Sequence, residues 1–198
     1  MLKDWKPIEW TRSPGNPVLR PLKEGTIDRP RLMNPFCVRV GDQYRLYYTG
    51  NDGSDTGLQA FCGIGLATSE DGLHWERFSA EPVIRGDVYP EFPDNRGIAG
   101  GGSILEDRLE DGSVRYRMYY SLVVGTKSED IFIDQEKHCA VCHSSDGKAQ
   151  LALGPDSEHP WEQKMVEYPN VLQEGEGLRL FYCGNDFGGT GIGTAVGD

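Results

Sequence analysis

Cys139-Ala140-Val141-Cys142-His143 is the segment whose residue types and spacing come nearest to a known chemistry. Read alone, C-x-x-C-H is the attachment pattern of a c-type haem, and His138, Cys139, Cys142 and His143 together could ligate zinc. Position argues against both readings. The segment precedes Ser145-Asp146-Gly147 as Ile64-Gly65-Leu66-Ala67-Thr68 precedes Glu70-Asp71-Gly72, which makes it a β-strand, and residues three apart on a strand face opposite sides. Structural zinc also wants a second, distant ligand pair, so no metal and no cofactor is expected. Two aspartates offer a different chemistry: Asp28 beside Arg29 and Arg31, and Asp94 near Arg96. A neighbouring guanidinium keeps a carboxylate ionised. The competing reading of each is a turn-forming Asp, common beside Pro and Asn.

Positioning such residues falls to a repeated unit. Tyr44-Arg45-Leu46-Tyr47-Tyr48-Thr49 recurs as Tyr116-Arg117-Met118-Tyr119-Tyr120-Ser121 and as Leu178-Arg179-Leu180-Phe181-Tyr182-Cys183. Each copy follows an apolar run and a polar turn and precedes a run rich in small residues, which describes consecutive antiparallel strands. Four such strands make a propeller blade. The third unit ends after three strands, and Ile8-Glu9-Trp10…Pro17-Val18-Leu19 mirrors the fourth-strand segment His74-Trp75-Glu76…Pro82-Val83-Ile84, so the N-terminal strand is expected to close the last blade. In the second unit, Val124 to Lys137 is an insert, and Lys148 to Trp161 replaces a fourth strand. An open β-sandwich of look-alike strands is the alternative architecture.

Bulk composition agrees. The 26 glycines, 12 prolines and 10% aromatics of the 198 residues suit short strands joined by tight turns, giving an all-β, single domain over 1–198. A formal charge of −11 repels phosphates, so neither nucleic acid nor an anionic membrane is an expected partner. The first residues hold no apolar signal region and the five cysteines are an odd number, mostly inside strands; free thiols in a reducing, cytoplasmic setting are expected.

With Ser69-x-Asp71-Gly72-Leu73-His74-Trp75, Asn16-Pro17-Val18-Leu19 and the tyrosine repeat in hand, the chain resembles the five-bladed β-propeller glycosidases of the arabinanase, invertase and levansucrase type. The resemblance covers nearly the whole chain. Five blades need about 50 residues each, so the chain is a shortened or internally deleted relative, or one that closes its ring with another copy of itself. Members of this superfamily cleave glycosides with carboxyl groups that converge on the axial funnel, one protonating the leaving oxygen and one acting as nucleophile or base. Glu167-Tyr168-Pro169 is similar to the segment that carries their general acid, against which stands a solvated strand-edge glutamate. Where relatives have Asp-Pro, this chain has Asn34-Pro35, and the next unit has Gly100-Gly101-Gly102. The resemblance therefore implies Asp28 as nucleophile or base and Asp94 as the stabilising carboxylate, with Asn34, Arg29, Arg96, Tyr89, Phe92 and Tyr168 binding substrate. The implied activity is cleavage of a neutral oligo- or polysaccharide. Two alternatives are a carbohydrate-binding propeller without catalysis and a glycoside phosphorylase.

Overall fold

Three hairpin turns organise the strands, and each turn holds a glycine at a left-handed φ: Gly41 (59°), Gly112 (81°) and Gly175 (63°). Only glycine enters that region at little cost. In a computed structural model, which describes residues 11–22, 28–29, 32–52, 61–85, 95–125, 135–143 and 149–197, the strands form three sheets in chain order. The first holds β1 (Asp28–Arg29), β2 (Leu32–Val40), β3 (Gln43–Asp52), β4 (Phe61–Ser69), β5 (Glu76–Arg77) and β6 (Ile84–Arg85). The second has β7 (Asn95–Arg108), β8 (Val114–Gly125), β9 (Gln135–His143) and β10 (Ala149–Leu153), in the order β10-β9-β8-β7. The third is β11 (Glu167–Glu174), β12 (Gly177–Cys183) and β13 (Ile192–Gly197), with one helical turn, α1 (Asn185–Gly188), before its last strand. Apart from the short parallel pair of β1 with β3, the ladders are antiparallel.

The repeat explains the packing. Tyr48, Tyr120 and Tyr182 occupy equivalent places and are 3%, 0% and 6% exposed. Their cross-strand partners are Gly65, Ala140 and Gly193. A methyl at Gly65 would come within 2.5 Å of the Tyr48 ring, and one at Gly193 within 2.8 Å of Tyr182 and 2.2 Å of Trp161. The ring needs that space, which is why the third strand of each unit is rich in small residues. Between sheets one and two the core is Ile64, Ile98, Met118, Tyr120, Leu122 and Ala140; between two and three it is Cys139, Val166 and Tyr182, with Trp161 stacked 5.6 Å from Tyr182.

The all-β, antiparallel, propeller-like organisation agrees with the sequence reading, and several details differ. The second sheet does have a fourth strand, β10, where a replacement was expected. The insert is shorter than it looked, because β8 runs on to Gly125 and β9 begins at Gln135; paired backbone extends past the patterned residues. Of the segment expected to close the last sheet, Ile8 to Trp10 lie outside the described residues, and Pro17 to Leu19 form no strand. These last residues lie against the first sheet, beside Leu32, Met33, Leu46 and Tyr48.

Candidate active site

Strands β2, β7 and β11 each break their ladder at an equivalent place, and β7 does so at two further places as well. Register shifts fall between Met33 and Phe36, between Ile98 and Gly101, and between Glu167 and Asn170. Inside these bulges sit Asn34, Gly100 and Tyr168, with φ of 50°, 90° and 55°. A non-glycine residue at such a φ is strained, and bulges re-aim side chains next to functional sites. The bulges also meet. A methyl on Gly100 would come 3.1 Å from Asn34 Nδ2, and one on Gly102 would come 2.0 Å from the Pro169 carbonyl oxygen. Two seryl hydroxyls of the second sheet stitch the third to it: Tyr168 N–H donates to Ser121 Oγ at 2.8 Å, and Val171 N–H to Ser103 Oγ at 2.8 Å.

Glu167 stands at the head of the third bulge and is 0% exposed. It is not the solvated strand-edge residue that the sequence left open. Lys137 of β9, 2% exposed, reaches it across the sheets, with Nζ 2.5 Å from Oε2. Oε1 makes no hydrogen bond of ordinary geometry among the described residues. Burial pushes the Glu167 carboxyl above its usual range and the Lys137 ammonium below its own, while their mutual attraction opposes both shifts. The Tyr168 ring lies 5.8 Å from Lys137 Nζ and is the partly exposed member of the group; burial first, then the charge of Glu167, pushes its phenol up to about 12.

The other expected residues divide. Met33 takes, in the first sheet, the place that Glu167 takes in the third, each being the last paired residue before the bulge. Asn34 is exposed and lies against Gly100. Asp28 and Arg29 form β1 and pair with Asn51 and Asp52, and Arg96 lies in β7; their side chains are outside what is described. Asp94, Tyr89 and Phe92 lie outside the described residues. Lys137 was missed because it closes the insert, 30 residues from Glu167 in sequence, with no motif around it.

Two sequence motifs are accounted for by structure. Cys139 and Cys142 lie on β9, Cys139 in the core toward the third sheet and Cys142 against the core toward the first. Burial pushes their thiols to about 12 and about 11. In Ser69–Trp75, Asp71 Oδ1 accepts the N–H groups of Leu73 and His74, each at 2.8 Å, and Oδ2 lies 2.7 Å from His74 Nδ1. Those bonds, His74 first, hold its carboxyl below the usual range. A cavity of about 1040 Å³ opens beside this turn, away from Glu167, and its aspartate is already engaged in the turn.

No protein-family model matches the chain. It is 29% identical over 171 residues to Rv1502, an uncharacterised protein of Mycobacterium tuberculosis, covering 83% of this chain and 50% of that one. The chain thus spans about half the length of this curated relative. It is also 28% identical over 89 residues to a β-1,2-mannobiose phosphorylase of a Thermoanaerobacter species, covering 41% of this chain and 29% of that one. Among solved structures, a family 117 glycoside hydrolase of Zobellia galactanivorans superposes with a TM-score of 0.57 at 18% identity, over 90% of this chain and 55% of that one. A family 32 β-fructofuranosidase of Bombyx mori gives 0.51 at 17% identity, over 89% and 35%. The fold of this chain is like that of part of these two glycoside hydrolases.

Proposed function

We propose that this chain acts on a neutral oligo- or polysaccharide by cleaving a glycosidic bond, with Glu167 giving its proton to the leaving oxygen. The observation that supports this most is Glu167 itself, a fully buried carboxyl at the bulge of β11, whose Oε1 makes no hydrogen bond of ordinary geometry among the described residues. Burial raises the Glu167 carboxyl and lowers the Lys137 ammonium, which brings the ion pair toward the form in which Glu167 carries the proton that a general acid gives. As the C–O bond breaks, the leaving oxygen takes the proton and the anomeric carbon takes an oxygen nucleophile. Asp28 is assigned as nucleophile or base, Asp94 as the carboxylate that stabilises the transition state, and Asn34, Arg29, Arg96, Tyr89, Phe92 and Tyr168 as sugar contacts. Because Glu167 is enclosed, a sugar reaches Oε1 only when the residues over it part.

Two other readings each have one observation in their favour. The partial identity to a phosphorylase favours phosphate over water as the nucleophile, which would leave a sugar phosphate. Met33 at the place equivalent to Glu167 favours a propeller that binds sugar without cleaving it. A panel of aryl glycosides, assayed with and without inorganic phosphate, separates all three. Glu167→Gln is expected to lower turnover by about 10²–10⁴, and phosphate-dependent turnover would select the phosphorylase. Equal rates for wild type and variant would remove Glu167 from the mechanism. Sugar binding in a calorimeter with no turnover would leave the binding propeller.

A further inference from the structure

The three sheets repeat a contact as well as a strand pattern. Cross-strand pairing makes Ile64, Cys139 and Ile192 equivalent, and likewise Tyr47, Tyr119 and Phe181. Ile64 and Tyr47 of the first sheet pack on Ile104, Met118, Tyr120 and Cys142 of the second. Cys139 of the second packs on Leu180, Tyr182 and Ala195 of the third. Each sheet thus offers one face to the sheet after it and the opposite face to the sheet before. Ile64 and Cys139 are 0% exposed, yet Ile192 is 75% exposed, Val196 74%, and Leu172 and Phe181 beside them are open as well.

At the other end of the arc, the first sheet carries the receiving half of the same contact. Cys37, Leu46 and Tyr48 hold the places of Ile104, Met118 and Tyr120. Residues from Arg12 to Leu19 lie over part of this face and leave an apolar cavity of about 620 Å³, floored by Leu32, Met33, Pro35, Leu46 and Tyr48. Cys37 is exposed.

We propose that these two faces bind one another between copies of this chain, the third sheet of one copy packing on the first sheet of the next. A second copy is the occupant because the molecule carries both halves of a contact it already makes twice, with the same order of side chains. On the receiving half Tyr48 is 3% exposed beneath Arg12 to Leu19, so the incoming sheet meets the exposed Cys37 and displaces those residues from the rest. Such a contact joins unlike surfaces, so it closes into a ring of two copies if the rotation allows and otherwise extends into an open series. The charge of −11 on each copy opposes association, and added salt strengthens it by screening.

Sedimentation equilibrium of the full chain across concentration and salt tests the proposal. Wild type is expected to form dimers or larger species, more so at high salt. Ile192→Lys and Cys37→Arg, both on exposed positions and with unchanged circular dichroism, are each expected to weaken association about tenfold or more, which is 1.4 kcal/mol or more. A wild type that stays monomeric at every concentration overturns the proposal, including the case in which a different polypeptide covers the face. Loss of association in Ile192→Lys alone would indicate pairing of two third sheets and overturns it equally.

Discussion

The residue that most defines this chain is Lys137, because it places a cation inside the protein against a buried carboxylate. Removing one member of such a pair strands the other charge in a medium that solvates it poorly. Lys137→Met is expected to destabilise the fold by about 3–5 kcal/mol at neutral pH. The sign of the pH dependence follows from Glu167: its carboxyl is raised by burial above the ordinary 4.5 and rises further without the ammonium. A raised carboxyl keeps its stabilising share below the unfolded value and loses it as pH rises through the folded value. The penalty should therefore shrink toward pH 4.5 and be full at pH 8, as urea unfolding at both ends would reveal; a penalty constant across that range would refute the account. Replacing both partners, as Lys137→Met with Glu167→Leu, should recover most of the loss. The sequence pointed to Glu167 through Glu167-Tyr168-Pro169. It gave no sign of Lys137, since two residues 30 apart meet only when the second and third sheets pack.

At the scale of elements, the pairing of a tyrosine with a small residue is the device repeated in every sheet. Gly65→Ala would press a methyl to 2.5 Å from the Tyr48 ring, closer than carbon atoms approach without moving. Overpacking of this kind costs about 1–3 kcal/mol. Thermal unfolding should detect it, and Tyr48→Leu in the same chain should relieve part of the loss; a Gly65→Ala protein as stable as wild type would mean that the ring has room to shift. This device was legible in the sequence, because alternation of aromatic and small residues fixes which strand pairs with which. The short strand β10 was not, since Ala149-Gln150-Leu151-Ala152-Leu153 carries neither an aromatic nor a β-branched residue and its pairing depends on the ladder of β9. Cys139 and Cys142 illustrate the reverse: a motif with a strong chemical signature resolves, on a strand, into two core residues facing opposite ways.

At the scale of the whole molecule, seryl hydroxyls of the second sheet accept backbone N–H groups of β11 and so join the third sheet to it. Ser121→Ala would remove the acceptor of the Tyr168 N–H at the third bulge and leave a donor unsatisfied at the strained residue next to Glu167. A loss of about 1–3 kcal/mol is expected, with faster amide exchange at Tyr168; Ser121→Thr, which keeps the hydroxyl, should retain most of the stability. Unaltered exchange in Ser121→Ala would show that the bulge holds without this bond. The sequence alone determined the all-β class and the repeating unit, because alternation, turn glycines and repetition are local properties of the chain, and its resemblance to a known segment singled out Glu167 as a candidate. Only the tertiary structure decided that Glu167 is enclosed and paired with Lys137, that Met33 holds the ladder position equivalent to Glu167, and that Pro17 to Leu19 cover the first sheet and do not extend the third. Those outcomes depend on which faces meet, and a face is shared by residues far apart in the chain, so no local pattern records it.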